Sequence, residues 1–390
     1  MSQLDGNIGS WKRRRTVRVG SVRASRSGTL DKKNPTMLLC LSSAAMPRYK
    51  QDILRALAMP AGARLQFRYN LRWVAQPLHD RIKSNALKGQ EACIAYIDQG
   101  QKEKTPDIAP VRAATIVSTE EQGDFCVVEF EMAGFAFARD LEAFNKQLRT
   151  LSGNLPNWLN GSVKGHYVEE IDRKTLALEL KANSGDWQGV CKALVSYADF
   201  QTQQFFYRLE GVRDVATDQE TECKDGALLL RAGDLYDLQL LHYSPKKLEF
   251  SEPFKNESLN WLVTDADDKA ITFVSTRTLA VDSDYDVKIV RIRTAMTTVP
   301  MDARISFSRR LQGATKTEDG TWDFDLRARL KPRWWTLIWQ GLLGGLLVAA
   351  QGLVLTFNNK NIENQGTVAI LVTVAGLLAG LLASFGLRKG

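Results

Sequence analysis

Alternation of apolar and polar residues is cleanest in two parts of the chain. Leu65, Phe67, Tyr69, Leu71 and Trp73 face one way, with Arg64, Gln66, Arg68, Asn70 and Arg72 opposite, which predicts a strand with one buried face. Ala303, Ile305 and Phe307, then Trp322, Phe324, Leu326, Ala328 and Leu330, repeat the pattern as two consecutive strands. Met37–Leu41 is apolar throughout and predicts a strand buried on both faces. Further strands are expected at 91–98, 110–119, 124–133, 203–211, 226–232 and 235–243. The helical period is rarer. Pro47 followed by Tyr49, Ile53, Leu54 and Leu57 predicts a short amphipathic helix stopped by Pro60 and Gly62. A second helix is expected near 138–151, and a third carries Trp187, Val190, Cys191 and Leu194 on one face.

These elements predict an α+β, mainly β body. Residues 1–36 form a basic arm, expected to be disordered in isolation, and 37–155 a mixed α/β domain. A second α+β unit fills 156–245, and a β-sandwich-like juxtamembrane domain fills 246–332. The rest, 333–390, has a different character. Trp334–Phe357 and Thr367–Leu387 carry no charge over 24 and 21 residues. As helices they would measure ~36 and ~32 Å, against a hydrocarbon core of ~30 Å. The expectation is a two-helix transmembrane hairpin.

Charge then orients the hairpin. Arg327, Arg329, Lys331 and Arg333 precede the first span and Arg388 with Lys389 follows the second, while the linker holds Lys360. This bias predicts an inner-membrane protein with both termini and the body in the cytoplasm, anchored by a belt of Trp334, Trp335 and Trp339. Gly341, Gly345, Ala349 and Gly352 share one face of the first span; Ala369, Thr373, Gly376 and Gly380 share one face of the second. Such small-residue faces either close the hairpin or join protomers into a homo-oligomer. Gln340 and Gln351 lie on nearly one face and would glue helices or line an opening.

The basicity belongs to the two ends. Of the net +8, residues 1–36 contribute +7, nine Lys and Arg against Asp5 and Asp31; 333–390 contribute +3, and the body is left at −2. Within the arm, Lys12, Arg13, Arg14, Arg15 and Arg18 would contact the phosphates of nucleic acid or of anionic lipid, or lie solvated. Arg64, Arg68 and Arg72 would form a phosphate-binding stripe or simply a solvated sheet face.

Candidate chemistry is sparse. Three distant histidines and five scattered cysteines argue against a zinc site or a disulfide framework and fit a reducing cytosol. The Asp282, Asp284, Asp286 run has Val287 and Arg293 where a calcium loop needs Gly and Glu. No phosphate-loop, dinucleotide, serine-elbow or zincin motif is present. The expectation is no enzyme, with no catalytic, cofactor-binding or metal residue and no cofactor.

A β-rich body without catalytic motifs, ending in apolar runs at 334–357 and 367–387, resembles the two-span transmembrane effectors of bacterial antiphage systems, the retron-associated type above all. The resemblance is one of architecture. It implies a toxin-like effector held inactive by a partner complex, whose release permeabilises the inner membrane and kills the infected cell. The arginine-rich arm would suit a partner containing reverse transcriptase and its RNA–DNA product. The alternative is a constitutive membrane-anchored scaffold or sensor module without pore activity.

Overall fold

The computed structural model describes residues 36–98, 106–151, 167–172, 179–181, 184–201, 203, 205–245, 260–265, 269–275, 283–310, 323–358, 367–368, 370 and 373–376. The basic arm with Lys12, Arg13, Arg14, Arg15 and Arg18 lies outside them, as do Ala369, Gly380, Arg388 and Lys389.

The first sheet is built from β1 (Thr36–Ser42), β2 (Arg64–Asn70), β3 (Glu91–Asp98), β4 (Asp107–Gln122), β5 (Phe125–Phe137), β6 (Val168–Asp172) and β7 (Glu179–Lys181). Its order is β2-β5-β4-β3-β1-β6, with β7 on β5. The apolar run of β1 is explained by its place: it lies between β3, which it pairs in parallel, and β6, antiparallel. Both faces are covered. Met37, Leu39 and Leu41 pack with Phe144 and Leu148 of helix α3 (Leu141–Leu151), after α1 (Pro47–Ala58) and α2 (His79–Lys83) in the chain. Leu38 and Cys40 join the larger core on the other face, which includes Ile53, Leu54 and Leu57 of α1 and Trp187, Val190 and Cys191 of α4 (Ser184–Leu194). Pro47 starts α1 and the chain turns away after Ala58, as the sequence predicts.

Two antiparallel-rich sheets follow. β8 (Phe206–Asp214), β9 (Cys223–Lys224), β10 (Ala227–Arg231), β11 (Leu235–Tyr243), β12 (Asn260–Asp265), β13 (Ile271–Phe273), β14 (Tyr285–Thr294), β15 (Met301–Arg310) and β16 (Asp323–Lys331) form the orders β12-β15-β16-β10-β9 and β13-β14-β11-β8. Ala303, Ile305 and Phe307 meet Ala328, Leu326 and Phe324 across β15–β16, all buried. The Phe307 and Phe324 rings stack at 4.7 Å, a contact that adds about 1 kcal/mol beyond area burial. Pairing of β11 with both β8 and β14, and of β10 with β16, carries hydrogen bonds across the 245/246 border. A tight crossing ties this region to the first sheet. Gly226 donates to the Gly62 carbonyl at 3.2 Å, and Ala63 bridges Gly226.

The alternation expected through Trp73 ends earlier. After Asn70 the chain enters a single tight turn, Leu71–Trp73, because the Asn70 side chain accepts the Arg72 amide at 3.1 Å and caps it.

The C-terminal expectation is corrected. Among the described residues no helix is long and apolar enough to cross a membrane. The transmembrane hairpin, the two-span inner-membrane placement and the defence-effector labels that rested on that architecture are therefore withdrawn. Helix α5 runs Trp334–Asn358, but length is only half the requirement. Two amides, Gln340 and Gln351, stand within its apolar sequence and lower the apolarity that a lipid-facing helix requires. In the second run the described helical residues are 367–368, 370 and 373–376.

Candidate functional site

Of the expected membrane-flanking cations, Arg329 and Arg333 are ion-paired to acids of the β region. On β16 the buried residues Phe324, Leu326, Ala328 and Leu330 alternate with an outer row, in which Arg329 pairs with Asp302 at 2.9 Å. Arg327 faces Arg304 across the ladder, and Lys331 is exposed while its carbonyl accepts the Ala232 amide. Arg333 pairs with Asp234, a carboxylate buried at the β10–β11 turn. Trp339 is exposed; Trp334, Trp335 and Gln340 lie on α5, their side chains outside the described set.

Of the small residues, the structure brings together Gly345, Ala349 and Gly376. A Cβ added to Gly376 would sit 2.9 Å from the Gly345 carbonyl oxygen and 3.2 Å from the Ala349 Cβ. Gly341 and Thr373 are half-buried, Gln351 is exposed, and Gly352 continues the helix.

The arginine stripe of β2 is divided by its neighbours. Arg64 is taken by acids, with Glu131 at 3.4 Å and Asp225 at 3.8 Å. Glu129, on the adjacent strand, accepts from Ser118. Arg68 and Arg72 are exposed and, among the described residues, have no carboxylate partner. Each lies on an aromatic ring instead: Arg68 is 3.8 Å from the Phe125 centroid, and Arg72 4.8 Å from that of Trp73. Backbone bonds fix the platform. The Leu71 amide donates to the Asp124 carbonyl, and the Tyr167 amide to that of Trp73, placing Tyr167 edge-on to Trp73 at 5.9 Å. The result is two solvent-facing guanidinium groups on aromatic rings at the outermost strand of the main path of the first sheet, an arrangement suited to phosphates and stacked bases.

A second group of cations is internal. Arg112 on β4 and Arg208 on β8 are buried, and both lie over the Phe135 ring, at 4.0 and 5.1 Å. Arg208 also lies 5.3 Å from the ring centroid of Trp187 and pairs with Glu210. Among the described residues the Arg112 side chain donates to the Ala56 carbonyl in the last turn of α1, at 3.4 Å. Its Nε and the Trp187 Nε1 are buried without a hydrogen-bond partner among the described residues. Each unmet donor costs ~1–3 kcal/mol. Burial first, and then the neighbouring Arg208 charge, bring the Arg112 guanidinium down to about 9. Sequence reading passes over this pair, although the signal is present: one arginine stands inside the apolar run 108–117 and another inside 205–212.

No family model and no curated protein matches the chain, so the comparisons carry no link to retrons or other defence systems. Among solved structures, a match titled "Structure of Vibrio cholerae VesB protease" covers 60% of this chain and 85% of that one, at 9% identity and a TM-score of 0.17. A likeness that low carries no argument about fold or activity.

Proposed function

We propose that the chain is a binding module rather than an enzyme, and that its partner presents single-stranded nucleic acid to the β2 end of the first sheet. The observation that supports this is the pairing of exposed Arg68 with Phe125 and exposed Arg72 with Trp73, neither cation taken by a carboxylate among the described residues. A guanidinium resting on a ring rather than on a carboxylate keeps N–H groups available to a phosphate. The aromatic platform of Trp73 and Tyr167 supplies a surface on which a base stacks without regard to sequence. Arg64, engaged by Glu131 and Asp225, is a fold residue in this reading. The partner-complex half of the sequence expectation is retained; the membrane-breaching half is not.

The test is fluorescence anisotropy of a labelled single-stranded oligonucleotide titrated with the full chain. The Arg68→Gln, Arg72→Gln double variant should bind roughly tenfold or more weakly, from the loss of two charge-assisted contacts. Equal affinity in parent and variant, or no binding by the parent, contradicts the proposal.

A further inference from the structure

We propose that the outward face of α5 seats a second copy of this chain, two α5 helices packing together through a row of large apolar side chains. The pairing does not depend on the nucleic-acid reading of the β2 surface.

The two faces of α5 differ. Gly345 and Ala349 are buried, and a Cβ added to Gly376 would meet both. The small residues are thus engaged inside the chain, which removes them as the contact between protomers. The opposite face carries Trp339, Leu343, Leu346, Leu347, Ala350 and Val354, all exposed. Their spacing is that of a helix–helix seam. Positions 339, 343, 346 and 350 are separated by steps of 4, 3 and 4, and 343, 347, 350 and 354 repeat those steps. Two helices interlock side chains at this spacing. The row is roughly 23 Å long at the helical rise of ~1.5 Å per residue.

Area is the second argument. Trp339 is 63% exposed, Leu343 58% and Leu347 69%. With the other three, these side chains leave on the order of 500 Å² of apolar surface open. That is near the upper end of what a monomer leaves in water. Mirrored on a second copy it gives ~1,000 Å², the size at which specific interfaces begin.

Chemistry then selects the occupant. No charge lies anywhere in 334–357, and Arg333 at the root of the helix is already paired with Asp234. The face therefore offers nothing to a charged partner and matches a surface as uncharged as itself. Among the described residues no other exposed apolar row is as long. The next, Tyr285, Val287 and Ile289 on β14, is three side chains long, so a second α5 matches the row better than any other described surface. Gly344 borders the face, and nothing stands within 4 Å of where its Cβ would be. A partner backbone is admitted there.

The test is sedimentation velocity of the full chain over a range of concentrations, at low and high salt. The parent should show a monomer–dimer equilibrium that changes little with salt, because no charges meet across the face. Leu343→Glu with Leu347→Glu places carboxylates in the seam and should weaken pairing at least hundredfold. Both sites are exposed in the single copy, so this variant should keep the parent's circular dichroism. As a second measurement, Leu347→Cys should form a disulfide-linked dimer under copper-catalysed air oxidation, whereas Met296→Cys, also at an exposed site, should not. In flotation with phosphatidylcholine–phosphatidylglycerol vesicles, the parent should remain in the unbound fraction. A parent that is monomeric at every concentration overturns the inference, as does a parent that forms an open series of larger species. Equal association of parent and double variant overturns it too, and so does equal cross-linking of the two cysteine variants. Uptake by the vesicles that the double variant loses would assign the face to lipid and overturn the second copy.

Discussion

Arg333, the residue before helix α5, is ion-paired with Asp234, a carboxylate only 8% exposed at the turn between β10 and β11. The turn is itself fixed: the Thr294 hydroxyl donates to the Arg231 carbonyl at 2.6 Å and accepts the Asp234 amide at 3.0 Å. The β10–β11 turn thus holds the root of the C-terminal helix through one buried acid. Arg333→Ala should destabilise the chain by ~1–3 kcal/mol, because Asp234 is left buried without its cation. Denaturant unfolding of Arg333→Ala and of Arg333→Ala with Asp234→Asn checks this. The double variant should recover part of the loss, and a double variant worse than the single one would contradict the pairing.

Asp52 on α1 gives the fold a pH dependence of unusual sign. Burial, partly offset by Arg55 and Arg48, raises its carboxyl from 3.8 to about 6. The folded state therefore binds more protons than the unfolded one between those values, and stability falls as pH rises through that window. Above it, the ionised group imposes a penalty on the order of 3 kcal/mol. Asp52→Asn should raise the unfolding midpoint at pH 7.5 and leave it nearly unchanged at pH 4. A variant less stable than the parent at pH 7.5 would show that the Arg55 pair outweighs the burial.

The thiols should be inert in the native chain. Cys40, Cys93, Cys126 and Cys191 are buried, and burial first of all raises every one; Cys93 and Cys126 reach about 12, as does half-buried Cys223. A thiol-reactive chromophore at pH 8 should label the described cysteines only as fast as the chain opens, and all of them at once in denaturant. Rapid labelling of native protein would contradict the packing of β1, β3 and β5.

Gly62 should admit no other residue. Its φ is +82°, and a Cβ there would come within 2.1 Å of the Cys223 carbonyl oxygen. Gly62→Ala should cost at least ~2 kcal/mol, from both the left-handed backbone and the forced separation of the two strands. A thermal midpoint equal to the parent's would mean that the crossing between β2 and β9 is not close.

These residues also show what the sequence discloses. Alternation in 303–307 and 324–330 was legible because one face of each strand is buried and the other is wet, which sets the period directly. The run at 37–41 was legible for the opposite reason, both faces being covered. Long-range charge pairs were not. Nothing near Arg333 in the chain indicates Asp234, so a basic residue before an apolar helix reads equally as a lipid anchor or as half of an ion pair. The apolar helix misled for a related reason. Absence of charge over Trp334–Phe357 is a necessary condition for crossing a membrane, and Gln340 and Gln351 were weighed as glue rather than as interruptions. At the β2 surface, spacing placed Arg64, Arg68 and Arg72 on one stripe, but only the neighbouring strand showed that Glu131 takes the first and Phe125 holds the second.

The salt dependence of oligonucleotide binding tests the central claim most directly. For single strands the slope of log K against log salt is about −0.7 for each phosphate neutralised. If Arg68 and Arg72 each hold a phosphate, the Arg68→Gln, Arg72→Gln variant should bind with a slope about 1.4 shallower than the parent's. Parallel lines for parent and variant would place the phosphates elsewhere and contradict the assignment of the β2 surface.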